Sequence, residues 1–127
     1  MTRPDTDRAL RLELTTSATT LTMAERAAFQ IGVRATNQGD AVLEPRLDLA
    51  DLTVNGESSM DWRMAIGNGG RDKDWLAMPA GKTVEMQWPL GEALFRAPGT
   101  YKIELSLSDV EGNSVASAAP TTITVTP

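Results

Sequence analysis

Tyr101-Lys102-Ile103-Glu104-Leu105-Ser106-Leu107-Ser108 decides the fold. Apolar residues fall on every second position of it (Tyr101, Ile103, Leu105 and Leu107), and polar ones fall between them. Successive side chains of an extended chain point to opposite sides, so the pattern gives one apolar and one polar face, as in a half-buried β-strand. The same period recurs elsewhere. Leu10, Leu12 and Leu14 alternate with Arg11, Glu13 and Thr15; Val84, Met86 and Trp88 alternate with Thr83, Glu85 and Gln87; Ile123 and Val125 stand among Thr122, Thr124 and Thr126. Trp62, Met64 and Ile66 read as another inward-facing strand set.

Two segments carry mixed signals. In Ala27 to Thr36 one face offers Ala27, Phe29, Ile31, Val33 and Ala35, yet Thr22-Met23-Ala24-Glu25 has the form of a capping box and Ala24, Ala27, Ala28 and Ile31 fit helical spacing. A strand is preferred, because Gly32 weakens a helix and the alternation runs longer. In Pro45 to Val54, Leu47 and Leu49 share one phase and Leu52 and Val54 the other, which predicts a strand bent or bulged near Ala50 and Asp51.

Turn residues separate these runs: Asn37-Gln38-Gly39-Asp40, Asn55-Gly56, Gly67-Asn68-Gly69-Gly70, Pro79-Ala80-Gly81, Pro98-Gly99 and Glu111-Gly112-Asn113. Short strands at regular intervals predict an all-β antiparallel sandwich of about 7–8 strands. One short helical turn is expected at Gly91 to Phe95, stopped by Ala97-Pro98. A chain of 127 residues can bury one core without staples, so residues 8–127 are expected to form a single domain behind a loosely ordered tail, 1–7.

Pro98-Gly99-Thr100-Tyr101-Lys102-Ile103 resembles the start of strand F in immunoglobulin-like domains. The resemblance implies the immunoglobulin-like form of the sandwich, with the Tyr101 hydroxyl bonded back to upstream backbone. Ile103 stands where antibody domains carry a bridge cysteine, so this is a disulfide-free relative whose buried tryptophan needs aliphatic neighbours. Thr36-Asn37-Gln38-Gly39-Asp40, Leu76-Ala77-Met78-Pro79-Ala80-Gly81, Trp88 and Pro98-Gly99-Thr100-Tyr101, in that order, are similar to the bacterial intracellular proteinase inhibitor family, also an immunoglobulin-like sandwich. That similarity implies a loop offered to a protease; the stretch Leu52 to Trp75 departs from the family pattern.

The residue inventory excludes much chemistry. The chain has no histidine and no cysteine, so Ser-His-Asp and Cys-His sites and the usual zinc ligation are absent, and no cofactor motif is present. A pair of carboxylates drawn from Asp48, Asp51, Glu57 and Asp61 is the remaining route to catalysis; carboxylates beside strand turns are ordinarily just solvated, and no enzymatic activity is expected. Asp109-Val110-Glu111-Gly112-Asn113 offers oxygen ligands for calcium, but a hairpin with Gly112 and Asn113 at positive φ is the preferred reading. Seventeen acidic against twelve basic residues give a net charge of -5, which argues against nucleic acid and anionic membrane as partners. The polar start, without an apolar leader, predicts the cytoplasm, or the periplasm or exterior if a targeting segment has been removed.

A protein partner is therefore expected, met by loops on a rigid sandwich. The residues expected to bind are Asn55 and Gly56 in one turn, and Asn68, Arg71 and Trp75 in or after the glycine-rich loop, with Arg71 as the side chain inserted into a protease. The loop from Gly67 to Asp74 also reads as a plain solvent-facing connection, and Trp75 either caps the core or anchors the partner. Trp62 and Trp88, in phase with apolar neighbours, read as core. Two alternatives come from other classes: an assembly subunit acting through an exposed edge strand, and a carbohydrate-binding module stacking sugars on Trp62 and Trp75.

Overall fold

A computed structural model describes residues 10–44, 46–68, 77–108, 111–112 and 114–127. Among these, nine strands form two facing sheets. The smaller is antiparallel, in the order β1 (Leu10–Thr16), β3 (Ile31–Asn37), β6 (Thr83–Trp88). The larger runs β2 (Thr20–Thr22), β9 (Thr121–Thr126), β7 (Gly99–Ser108), β4 (Asp51–Val54), β5 (Glu57–Ser58), with β8 (Ser114–Ser117) also on β7. Strands β1, β3 and β6 correspond to A, B and E of an immunoglobulin sandwich, and β9, β7 and β4 to G, F and C. One pairing departs from the antiparallel expectation: the short β2 runs parallel to β9, Leu21 opposite Val125.

Alternation places the core where the sequence predicts. Ile103, Leu105 and Leu107 of β7, Ile123 and Val125 of β9, Leu10 and Leu12 of β1, and Ile31, Val33 and Ala35 of β3 are all buried. The last strand is broken in two. β8 pairs with the far half of β7, Leu107 opposite Ala116, and β9 with the near half, Tyr101 opposite Ile123; Ala119 and Pro120 stand between. Gly112 adopts φ 88 in the connection from β7 to β8, while Asp109, Val110 and Asn113, and with them the calcium question, lie outside the described residues. The helical turn expected at Gly91 is α2 (Gly91–Leu94). Beyond it the Tyr101 hydroxyl donates to the Ala97 carbonyl at 2.5 Å, the upstream bond that the strand F resemblance implied.

Three strand readings are corrected. Trp62, Met64 and Ile66 belong to a helix, α1 (Met60–Asn68). Trp62 and Ile66 are four apart and share one helical face, both wholly buried, whereas Met64 points away and is 58% exposed. Over so short a run, period two and period 3.6 agree on Trp62 and Ile66 and differ only at Met64. In the second segment both signals are real but consecutive. The capping box is formed, the Thr22 N–H donating to Glu25 Oε1 at 2.8 Å, and it starts a 3₁₀ turn, Met23–Ala28; the strand begins only at Ile31. In the third, the phase change near Ala50 comes from a 3₁₀ turn, Leu47–Leu49, rather than a bulge in one strand; the turn buries Leu47 and hands over to β4 through the bond from Ala50 N–H to Leu47 O, 3.0 Å.

The two 3₁₀ turns each pack on a different helix, Leu47–Leu49 on α1. Met23–Ala28 packs on α2, where the Arg26 guanidinium donates to the Met23 carbonyl at 2.8 Å and the Phe95 carbonyl at 3.0 Å. Gly91 makes this contact possible, since a Cβ there would lie 2.3 Å from the Arg26 carbonyl oxygen. Below it Phe29, Phe95 and Tyr101 form an aromatic chain, with centroids 5.2 and 4.9 Å apart. No helix among the described residues is long and apolar enough to cross a membrane.

Candidate binding surface

Asn55 and Gly56 take φ 52 and 87, the two positive values that a tight hairpin between β4 and β5 needs and that this residue pair tolerates best. Asn55 is also tied down. Its N–H donates to the Lys102 carbonyl at 2.8 Å, and its side-chain oxygen accepts the Lys102 N–H at 2.9 Å. The side chain thus extends the β4–β7 pairing one step beyond Val54 and Ile103 and fixes the hairpin to the scaffold.

Beyond the hairpin, Ser59 starts α1. Its hydroxyl accepts the Trp62 N–H at 3.1 Å, an N-cap bond, and Asp61 places negative charge at the positive end of the helix. The Ser59 N–H donates to Leu52 O at 2.8 Å, which fastens the cap to β4. Trp62 then locks the inner face: its indole N–H donates to the Ala50 carbonyl at 3.1 Å, and its ring meets Trp88 of β6 edge-on at 5.2 Å. The helix therefore plugs the margin of the sandwich between β4 and β6.

What the plug turns outward is two thioethers one turn apart, Met60 at 61% exposure and Met64 at 58%. Arg63 and Asp61 flank them, both exposed. The Arg63 guanidinium stands 3.8 Å from the Asp51 carboxylate, which also accepts the Ser58 hydroxyl at 2.9 Å. The two exposed methionines form a flexible apolar patch on a fixed helix.

The fold resembles that of a CARDB domain. The solution structure of the CARDB domain of PF1109 from Pyrococcus furiosus superposes with a TM-score of 0.50 at 11% identity, over 93% of this chain and 94% of that one. Two crystal structures of a β-glucosidase from Listeria innocua, with glucose and with gluconolactone, align at TM-scores of 0.42 and 0.44 and 14% identity, over 93% of this chain but only 16% of theirs. No family model matches the chain, and no curated protein matches it. The likeness to the CARDB domain is one of fold.

Of the residues expected to bind, the structure brings Asn55 and Gly56 together in one turn and sets Asn68 at the last position of α1. Arg71 and Trp75 lie outside the described residues. The sugar-stacking reading is corrected at Trp62, whose ring is wholly buried and so cannot serve as a platform beside Trp75. Of the four carboxylates considered for catalysis, Asp48 is held by Arg46 at 2.9 and 3.0 Å; this hydrogen bonding, together with the carboxylate charge, raises the pKa of the Arg46 guanidinium. Asp51 is held by Ser58 and Arg63. Among the described residues no three acidic side chains gather as a group able to hold a metal. A strand reading of Trp62 to Ile66 turns Met64 inward and hides the outward face of Met60, Arg63 and Met64; the signal for the helix is Ser59, a capping residue three positions before Trp62, with Ile66 four beyond.

Proposed function

We propose that the chain is a non-catalytic protein-binding module whose contact surface is the outer face of α1 together with the β4–β5 hairpin. One observation carries the reading: Met60 and Met64 lie exposed on a helix whose opposite face, Trp62 and Ile66, is locked in the core. A partner that covers the two thioethers gains apolar burial without ordering the helix, because Ser59, Trp62 and Ala50 already hold it. Arg63 and Asp61 supply a rim of both signs, which sets orientation more than affinity. The experiment is a comparative enrichment: wild-type chain and a Met60→Glu, Met64→Glu variant are immobilised and their bound proteins quantified. A protein retained by the wild type and lost by the variant supports the reading; identical sets on both overturn it.

The inhibitor form of this reading adds a protease as partner and Arg71 as the inserted side chain. It rests on the resemblance in Thr36 to Asp40, Leu76 to Gly81 and Pro98 to Tyr101. Trypsin-like and subtilisin-like proteases assayed with a large molar excess of the chain decide it, since full residual activity removes inhibition while leaving the wider binding role intact.

A further inference from the structure

The constant-type immunoglobulin sheet places a fourth strand, D, beside strand E. In this chain the segment after β5 forms α1 instead, and β6 has β3 on one side and no strand on the other among the described residues. The hydrogen-bond phase shows what that edge presents. Asn37 N–H donates to the Lys82 carbonyl at 2.9 Å, and Val33 lies opposite Met86 in the same register. Bonded pairs alternate in an antiparallel ladder, so Val84, Met86 and Trp88 bond to β3, while Thr83, Glu85 and Gln87 turn their N–H and C=O groups outward. The other side of β3 has the matching phase, with Ser17 N–H donating to Gln30 O at 2.9 Å. Among the described residues these outward backbone groups of β6 have no hydrogen bond.

Exposed edges are usually guarded by charge, proline or a bulge. The middle of β6 has no proline and no irregularity in its pairing, and its one charge, Glu85, is held at 2.8 Å by Arg34 on the outer face of the sheet. The opposite edge of that sheet differs, because β1 lies against β8 and β7. Edges β2 and β5 of the larger sheet are three and two residues long.

We infer that the edge of β6 pairs antiparallel with β6 of a second copy, about a two-fold axis at Met86. The outward groups fix the parity, and charge fixes the register within it. Centring on Glu85 would set two carboxylates opposite each other; moving the axis by one residue sets Glu85 opposite Gln87 twice, with Val84 opposite Trp88 and Met86 opposite itself. Glu85 and Gln87 then exchange four backbone bonds across the axis. The half-buried Met86 and Trp88 side chains gain cover at the margin that strand D would otherwise protect. The inference is independent of the surface on α1.

Sedimentation equilibrium of the full chain from about 10 μM to about 1 mM tests it, since so small an interface belongs to the weak class. A rise from the 13.7 kDa monomer toward the dimer is expected. Gln87→Lys places a cation opposite Glu85 twice and tightens the dimer, and Gln87→Glu loosens it, each by roughly two- to thirtyfold. Gln87→Pro removes an outward N–H that β3 does not use and abolishes pairing, with an unchanged dichroism spectrum showing that the monomer is folded. A wild-type chain still monomeric at about 1 mM, or a dimer whose affinity none of the three variants changes, overturns the proposal.

Discussion

Asn37 is wholly buried, and its side chain makes three bonds to loop backbone: the amide N–H groups donate to Ala41 O at 2.8 Å and Met78 O at 2.9 Å, and the amide oxygen accepts Gly39 N–H at 3.0 Å. It therefore ties the loop after β3 to the bridge between Leu43 and Met78. Asn37→Ala removes all three. At about 1 kcal/mol net for each bond the sum is about 3 kcal/mol. Two features bring it down: Met78 O keeps the Leu43 N–H at 2.9 Å, and Ala41 lies on an exposed residue where water can replace the lost donor. One raises it, since a cavity remains where the amide was. The expected loss is about 2–3 kcal/mol, read by urea unfolding followed through tryptophan fluorescence. With a slope of about 1–3 kcal/mol per molar urea, the midpoint falls by about 0.7–3 M. Asn37→Asp at neutral pH costs more than alanine, because an ionised carboxylate would face two carbonyl oxygens with no donor of its own. A loss below about 1 kcal/mol for alanine, or aspartate tolerated better than alanine, would refute the reasoning, which assigns Asn37 to the scaffold through its donors.

Further outcomes follow from single contacts. Gly32→Ala would put a methyl group 1.8 Å from the Met86 carbonyl oxygen and 2.7 Å from Gln87 Cα, so β3 and β6 must part; a loss of about 3 kcal/mol or outright unfolding is expected in a thermal melt. Trp62→Ala leaves a cavity and strands the Ala50 carbonyl, for a loss of about 3–5 kcal/mol in the same urea assay. Tyr101→Phe removes only the bond to Ala97 and costs about 1 kcal/mol. Asn55→Ala forces alanine to φ 52 and drops the bond to Lys102, so it lowers stability by about 1–2 kcal/mol in the same urea assay.

The sequence made the sheets legible and the helix illegible, for one physical reason. Long alternating runs such as Leu10 to Thr16 and Tyr101 to Ser108 span enough residues to exclude any helical period. Trp62 to Ile66 is five residues long, and within five residues a strand and a helix share two of their three inward positions. The bond at the Ser59 cap separates the two in the structure, and at Thr22 the box starts a turn that the alternating strand from Ile31 follows. The phase slip at Ala50 was visible, but a 3₁₀ turn and a bulge both slip phase, and only the bonds of Leu49 and Ala50 back to Arg46 and Leu47 distinguish them. Turn composition marks Asn55 and Gly56 as a hairpin tip, yet the bond between Asn55 and Lys102 links residues 47 apart, and no local pattern announces such a contact.

A helix in place of strand D has two consequences that belong together. A strand at that margin would satisfy its backbone only by pairing with β6, closing the edge. A helix satisfies its own backbone, so α1 can deliver Trp62 and Ile66 to the core while, among the described residues, no strand pairs with the side of β6 away from β3. The helix is nine residues long, too short to persist without its contacts, so its outer face exists only while the inner one is packed. Ser59→Ala removes the cap at a cost of about 1 kcal/mol. Any effect of this variant on partner binding then measures how far the exposed methionines depend on the helix being held, whereas Met60→Glu and Met64→Glu, which touch nothing in the core, measure the contact itself.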